Sequence, residues 1–141
     1  MTQSTHDTRQ LVDFKCEVKQ RQIVNAFLHL IESHYTEGLK IEKYAQKMFI
    51  SLSKLDRCCK AIYQKTATEL SNRRIIEEAK KMLITTDAPI KQIAWDLGKS
   101  YESNFIAFFN RETGMSPTRY RRIVAYQNNI PSVKMNFDEI S

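Results

Sequence analysis

Residues 90–122, IKQIAWDLGKSYESNFIAFFNRETGMSPTRYRR, decide the fold. Ile90, Ile93, Ala94 and Leu97 recur at helical spacing on one face. Gly98 then supplies the left-handed backbone that stops a helix. Ser100 is the expected N-cap of a second helix, and Glu102 in its first turn suits the helix dipole. Tyr101, Phe105, Phe108 and Phe109 are expected inside, with Ser103, Asn104, Ala107 and Asn110 outside. Gly114 closes this helix, and Ser116-Pro117 opens a third with a capping hydroxyl and a proline at its first position. Two short helices around a tight turn, the second with a small polar outer face, form a helix-turn-helix.

The pattern repeats upstream. Ile41, Tyr44, Ala45 and Met48 share a face, a turn falls at 49–51, and Ser51 precedes a helix that buries Leu52, Leu55, Cys59 and Ile62. Ala45 matches Ala94 at an offset of 49. Leu55, Cys59, Thr66 and Leu70 match Phe105, Phe109, Ser116 and Tyr120 at an offset of 50. Between the copies, Thr66 and Glu69 have capping-box spacing, and Ile75, Ile76, Ala79, Met82 and Leu83 line one face of a long helix. Some twenty residues at ~1.5 Å each give ~30 Å, close to the ~34 Å between successive major grooves on one face of B-DNA. Upstream of the first copy, Ile23, Phe27, Leu30, Ile31 and His34 share a face, and Gly38 marks the stop. Few strand-like alternations occur, and the class is all-α. The expected order is a disordered or linker segment over 1–21, a first helix-turn-helix subdomain over 22–65, a linker helix over 66–86, a second subdomain over 87–126, and a tail over 127–141.

A chain of 141 residues suffices for a modest helical core. Its net charge of +6 is localised. Residues 37–122 hold seventeen basic and ten acidic residues, whereas 1–36 hold four of each and 123–141 hold one against two. Such localisation favours a polyanion-binding surface over a merely solubilising excess. Three cysteines, one isolated and two adjacent, form no disulfide framework and have no C-x-x-C spacing. Cys59 takes the core position of Phe109, with Cys58 a partly buried neighbour, a better reading than a redox pair. Trp95 and Tyr101 are expected in core or rim packing rather than stacked on bases. His29 and His34 do not share a helix face, so no metal site is expected. No arrangement builds a nucleophile, so no enzyme activity and no cofactor is expected. No apolar run reaches transmembrane length, and no membrane partner is expected.

The string Ile93-Ala94, Leu97-Gly98, Ser103-Asn104-Phe105, Phe109 and ETGMSPTRYR (112–121) resembles the signature of AraC-type transcription regulators. The resemblance covers roughly residues 22–122. It departs at Lys99, where the family places a buried aromatic, at Phe49, where small residues are common, and at Gln64, where glycine is frequent. It implies duplex DNA as the partner, with Ser53, Lys54, Asp56 and Arg57 facing bases in the first unit and Glu102, Ser103, Asn104 and Ala107 in the second. Ser51, Lys60, Ser100 and Arg111 complete the expected DNA-binding set. The resemblance further implies an activator that recruits RNA polymerase, in a monomeric segment whose dimerisation would depend on a separate sensor domain. The DNA-binding part of a longer regulator is the expected status, with a short self-sufficient regulator as the other option. A helical module binding RNA polymerase or another regulator is the alternative function.

Overall fold

A computed structural model describes residues 2–129, with side chains described within 9–128. Among the described residues there are seven helices and no strand: α1 (Thr2–His34), α2 (Ile41–Lys47), α3 (Leu52–Tyr63), α4 (Ala67–Thr85), α5 (Ile90–Asp96), α6 (Glu102–Thr113) and α7 (Pro117–Asn129). The chain divides into two compact units. Unit 1 takes Met1–His34 and Leu39–Ser71, and unit 2 takes Tyr35–Gly38 and Asn72–Ser141.

Unit 1 closes around Val24, Phe27 and Ile31 of α1, Tyr44 and Ala45 of α2, Leu55, Cys58 and Cys59 of α3, and Ala67 and Leu70 of α4. Phe27 meets Tyr44 edge-on at 5.7 Å. The stripe of α1 that enters the core is Val24, Phe27, Ile31; Ile23 and Leu30, expected inside, are only half-buried. Residues 2–21 are helical, not the disordered or linker segment expected from their polarity. Packing at 24–31 supplies the costly helix nucleus, after which each added residue propagates cheaply through Gln, Lys and Arg. An i,i+4 pair, Arg21 to Glu17 at 2.9 Å, supports the extension. Its Leu11, Val12 and Phe14 are exposed.

Unit 2 packs Ile75, Ile76, Ala79 and Leu83 of α4 against Ile93, Ala94 and Leu97 and against Phe105, Phe108 and Phe109 of α6. The α4 face is the one its spacing predicts. Its start is a two-way capping box, with Glu69 N–H donating to Thr66 Oγ1 at 3.1 Å and Thr66 N–H to Glu69 Oε2 at 3.4 Å. Ser116 Oγ caps α7 by accepting the Arg119 N–H at 3.1 Å. Tyr120 lies edge-on to Phe109 at 5.7 Å. Arg121 donates to the Leu83 carbonyl at 3.0 Å and the Thr86 carbonyl at 3.2 Å, satisfying groups at the end of α4. Gly98 is left-handed, φ +77, and meets Gly38, φ +67, so closely that a Cβ on either would collide with the other's backbone. The tail expected over 127–141 lies, from residue 130 onward, outside the described residues.

Candidate nucleic-acid interface

In unit 1 the second helix of the helix-turn-helix is α3. Ser51 sits outside the helix with φ −74 and ψ 153, and its hydroxyl accepts the Lys54 N–H at 3.1 Å, as its position predicts. With Leu55, Cys58 and Cys59 held in the core, the opposite face turns outward and exposes Ser53, Lys54, Arg57 and Lys60. None of these three cations pairs with a carboxylate among the described residues.

Asp56 does not join them. It is half-buried, and its Oδ1 accepts the Ala67 N–H at 2.9 Å across the α3–α4 turn. The first turn of a helix leaves four N–H groups without partners, and Asp56 serves one of them. Asp56 was expected to face bases; its Oδ1 is engaged in holding the α3–α4 turn. Two left-handed residues frame α3. Phe49, φ +58, occupies the turn position that Gly98 fills in unit 2, and Gln64, φ +56, occupies the C-cap position of Gly114. The ring of Phe49 is 94% exposed. Beside it an open groove of about 1060 Å³ runs between α1 and the α2–α3 turn. Its lining includes Lys19, Lys47, Lys54 and Arg57 and no carboxylate.

Cys58 and Cys59 are both buried, so Cys58 is more deeply placed than expected. Burial first, and then the nearby Asp56 carboxylate, pushes the Cys59 thiol up to about 12. It is a core group and not a thiolate nucleophile.

In unit 2 the counterpart is α6, which exposes Glu102, Ser103, Asn104, Ala107, Asn110 and Arg111. Two expectations fail at its start. The N-cap is Tyr101, with no side-chain capping bond, so Ser100 is an exposed turn residue. Tyr101 is 67% exposed, not buried, because a capping residue lies one step before the helical register that carries Phe105 and Phe109 inward. Trp95 on α5 is exposed as well, contrary to the core or rim packing expected of it. The periodicity of α5 places only Ile93, Ala94 and Leu97 inside. Ile106, which the sequence pattern left unassigned, is exposed on α6; its place one residue from Ala107 was the available signal.

Lys99 takes the place of a buried aromatic by lying over one. Its Nζ is 4.4 Å from the Phe108 ring centroid, with the Arg111 guanidinium 5.6 Å from the same ring. Burial, and then the repulsion of Arg111, lowers its pKa from the ordinary lysine value. Arg111 is further drawn to Glu112 at 3.5 Å. The outward face of α6 therefore presents little free positive charge before its last turn.

A family profile described as a helix-turn-helix domain matches residues 44–123, from within α2 to within α7. The chain belongs to the AraC-type helix-turn-helix family. It is 31% identical over 104 residues to the regulatory protein SoxS of Salmonella typhimurium, covering 74% of this chain and 97% of SoxS. It spans about a third to a half of longer curated relatives. The C-terminal domain of AraT, a response regulator from Geobacillus stearothermophilus, superposes with a TM-score of 0.68 at 28% identity, covering 72% of this chain and 84% of that one. The DNA-binding domain of AdpA, solved with a target DNA, shares the fold with a TM-score of 0.65 at 22% identity, covering 79% and 97%. This AraC-type chain thus has the all-α fold of a transcription regulator's DNA-binding domain. No helix among its described residues is long and apolar enough to cross a membrane.

Proposed function

We propose that this AraC-type chain reads duplex DNA by placing α3 and α6 in the major groove, with Ser53, Lys54, Arg57 and Lys60 acting in unit 1 and Glu102, Ser103, Asn104 and Ala107 in unit 2. The observation that carries this reading is the α3 face, three exposed cations without a carboxylate partner among the described residues, next to a serine on a helix anchored by its opposite side. An arginine there can bond O6 and N7 of a guanine, and lysines can neutralise phosphates. Ser51 and Ser100 stand at the helix starts, where backbone N–H groups suit phosphate oxygens, although Ser51 already spends its hydroxyl on the cap. Arg111 is a weaker contributor than its charge suggests, since Glu112 and Phe108 engage it.

SoxS and AraT are regulators by their names, and AdpA binds a target DNA. The same regulatory role is proposed here, in the cytoplasm, with DNA as the first partner and the described chain acting as a monomer. An activating role would add RNA polymerase as a protein partner. For that contact the unit 1 groove, lined by apolar side chains and by Lys19, Lys47, Lys54 and Arg57, is the surface to probe.

Titrating the chain onto a site selected from random duplexes, at two salt concentrations, tests the reading. Arg57→Ala should weaken binding by about 1–3 kcal/mol and relax preference at one or two base pairs. Lys60→Ala should weaken all sequences alike and shorten the salt slope by about one ion. Binding indifferent to salt and to both substitutions would refute it.

A further inference from the structure

The two recognition helices carry different chemistry at matched positions. An offset of 50 pairs Ser53 with Ser103, Asp56 with Ile106, Arg57 with Ala107 and Lys60 with Asn110. In unit 1, Asp56 accepts the Ala67 N–H. The residue matching Ala67 is Pro117, which has no N–H to satisfy. Position 106 is thereby released from a capping duty and carries a branched apolar side chain.

Ile106 remains 37% exposed, and Ala107 is exposed beside it. The core of this helix is already supplied by Phe105, Phe108 and Phe109. Between Ser103 and Asn110 no residue of α6 is charged. A guanine edge, two acceptors in the major groove, has no arginine or lysine to meet there. The feature an alkyl patch complements in that groove is the C5-methyl of thymine. Asn104 and Asn110, exposed on the same helix, carry amides able to donate and accept together, as the adenine edge requires.

We infer that Ile106 and Ala107 recognise thymine methyl groups, so that the half-site under α6 is selected for A·T pairs while the half-site under α3 is selected for guanine by Arg57. This rests on the DNA-binding reading above and deepens it. The two units then divide the work by chemistry, cations and guanine in one, alkyl groups and amides in the other. Methyl contacts add no counterion release, so the α6 half contributes discrimination with little salt dependence.

The test begins with selection of sites by the full chain from a random duplex pool. The half whose preference relaxes in Arg57→Ala is assigned to α3. In the other half each thymine is replaced in turn by deoxyuridine, which removes only the methyl group. Affinity should fall about fourfold at one or two positions, the loss of one buried methyl-sized group. In Ile106→Ala or Ala107→Gly that penalty should shrink below about twofold, while the response of the α3 half is unchanged. Ile106→Ala removes an exposed side chain and raises helix propensity, and an unchanged far-UV spectrum verifies its fold. Selected sites without a deoxyuridine-sensitive position, or penalties identical in parent and both variants, overturn the inference and leave DNA binding intact. A chain that selects no sequence overturns the DNA reading as well.

Discussion

Replacing Phe49 by glycine should make the protein more stable, although it removes a large apolar side chain. The residue holds φ +58 in the turn between α2 and α3, and its ring is 94% exposed. Left-handed backbone costs an L-residue roughly 1–2 kcal/mol, and an exposed ring returns almost no burial energy against that cost. Phe49→Gly removes the strain but gives the unfolded chain more freedom, which offsets about 0.4–1 kcal/mol. The net expectation is a gain of about 0.5–1 kcal/mol, or roughly 2–5 °C in Tm for a chain of this size. Far-UV melts supply the midpoint, and urea titration at unchanged m-value confirms that stability itself has moved. Gly98→Ala, the matching position in unit 2, should do the reverse. It forces φ +77 on an alanine and drives a Cβ into the Gly38 backbone, so a loss above about 2 kcal/mol is expected. A lower midpoint for Phe49→Gly would refute the reasoning, because it would show that the ring makes stabilising contacts its exposure denies.

Phe109 is fully buried between Phe105 and Tyr120, so Phe109→Ala should cost about 3–5 kcal/mol in a denaturant titration; an unchanged midpoint would contradict the placement of α6. Lys99→Met should raise the melting temperature by removing a half-buried charge. Because its folded pKa lies below 10.5, the folded state binds fewer protons than the unfolded one as pH approaches that value. The parent should therefore close the gap on Lys99→Met as pH rises toward 10.5, and a constant gap from neutral pH upward would exclude Lys99 as its source. Mass spectrometry after brief alkylation should show one modified thiol in the native protein, the exposed Cys16, with Cys58 and Cys59 reacting only on unfolding. Fast labelling of all three would mean the core of unit 1 opens readily.

The helices and their buried faces were legible because helical spacing and repeat offset agree. Ala45 with Ala94 and Cys59 with Phe109 mark the same core positions in both units, and the structure buries all four. Capping residues were legible where a side chain does the capping, as at Ser51, Thr66 and Ser116. At α6 the cap has no side-chain bond, and the pattern pointed to Ser100 one residue too early. The duty of Asp56 was hidden because its partner lies eleven residues away, beyond what helix periodicity encodes. Lys99 signalled a departure from its family, but that an ammonium can lie over Phe108 emerged only from the placement of α6. The glycine contact between 38 and 98 joins positions sixty residues apart, and each glycine alone reads merely as a helix stop.

The bond from the Ala67 N–H to Asp56 bears on the chemistry proposed for unit 1. With that carboxylate facing outward, α3 would carry three cations and an acid that repels phosphate and accepts from cytosine. With it turned to the Ala67 N–H, the outward face is uniformly basic and uncharged elsewhere. Under the proposed function, such a face would hold DNA strongly at low salt and discriminate mainly through Arg57. Unit 2 is built the other way. Its turn uses glycine without strain, its cap needs no acid because Pro117 has no N–H, and α6 carries no charge between Ser103 and Asn110. Strain at Phe49 and Gln64, the Asp56 cap and the cationic face all fall in unit 1, whereas the close-packed glycines and the apolar patch fall in unit 2. Two copies of one motif thus differ at matched positions in the turn, the cap and the outward face.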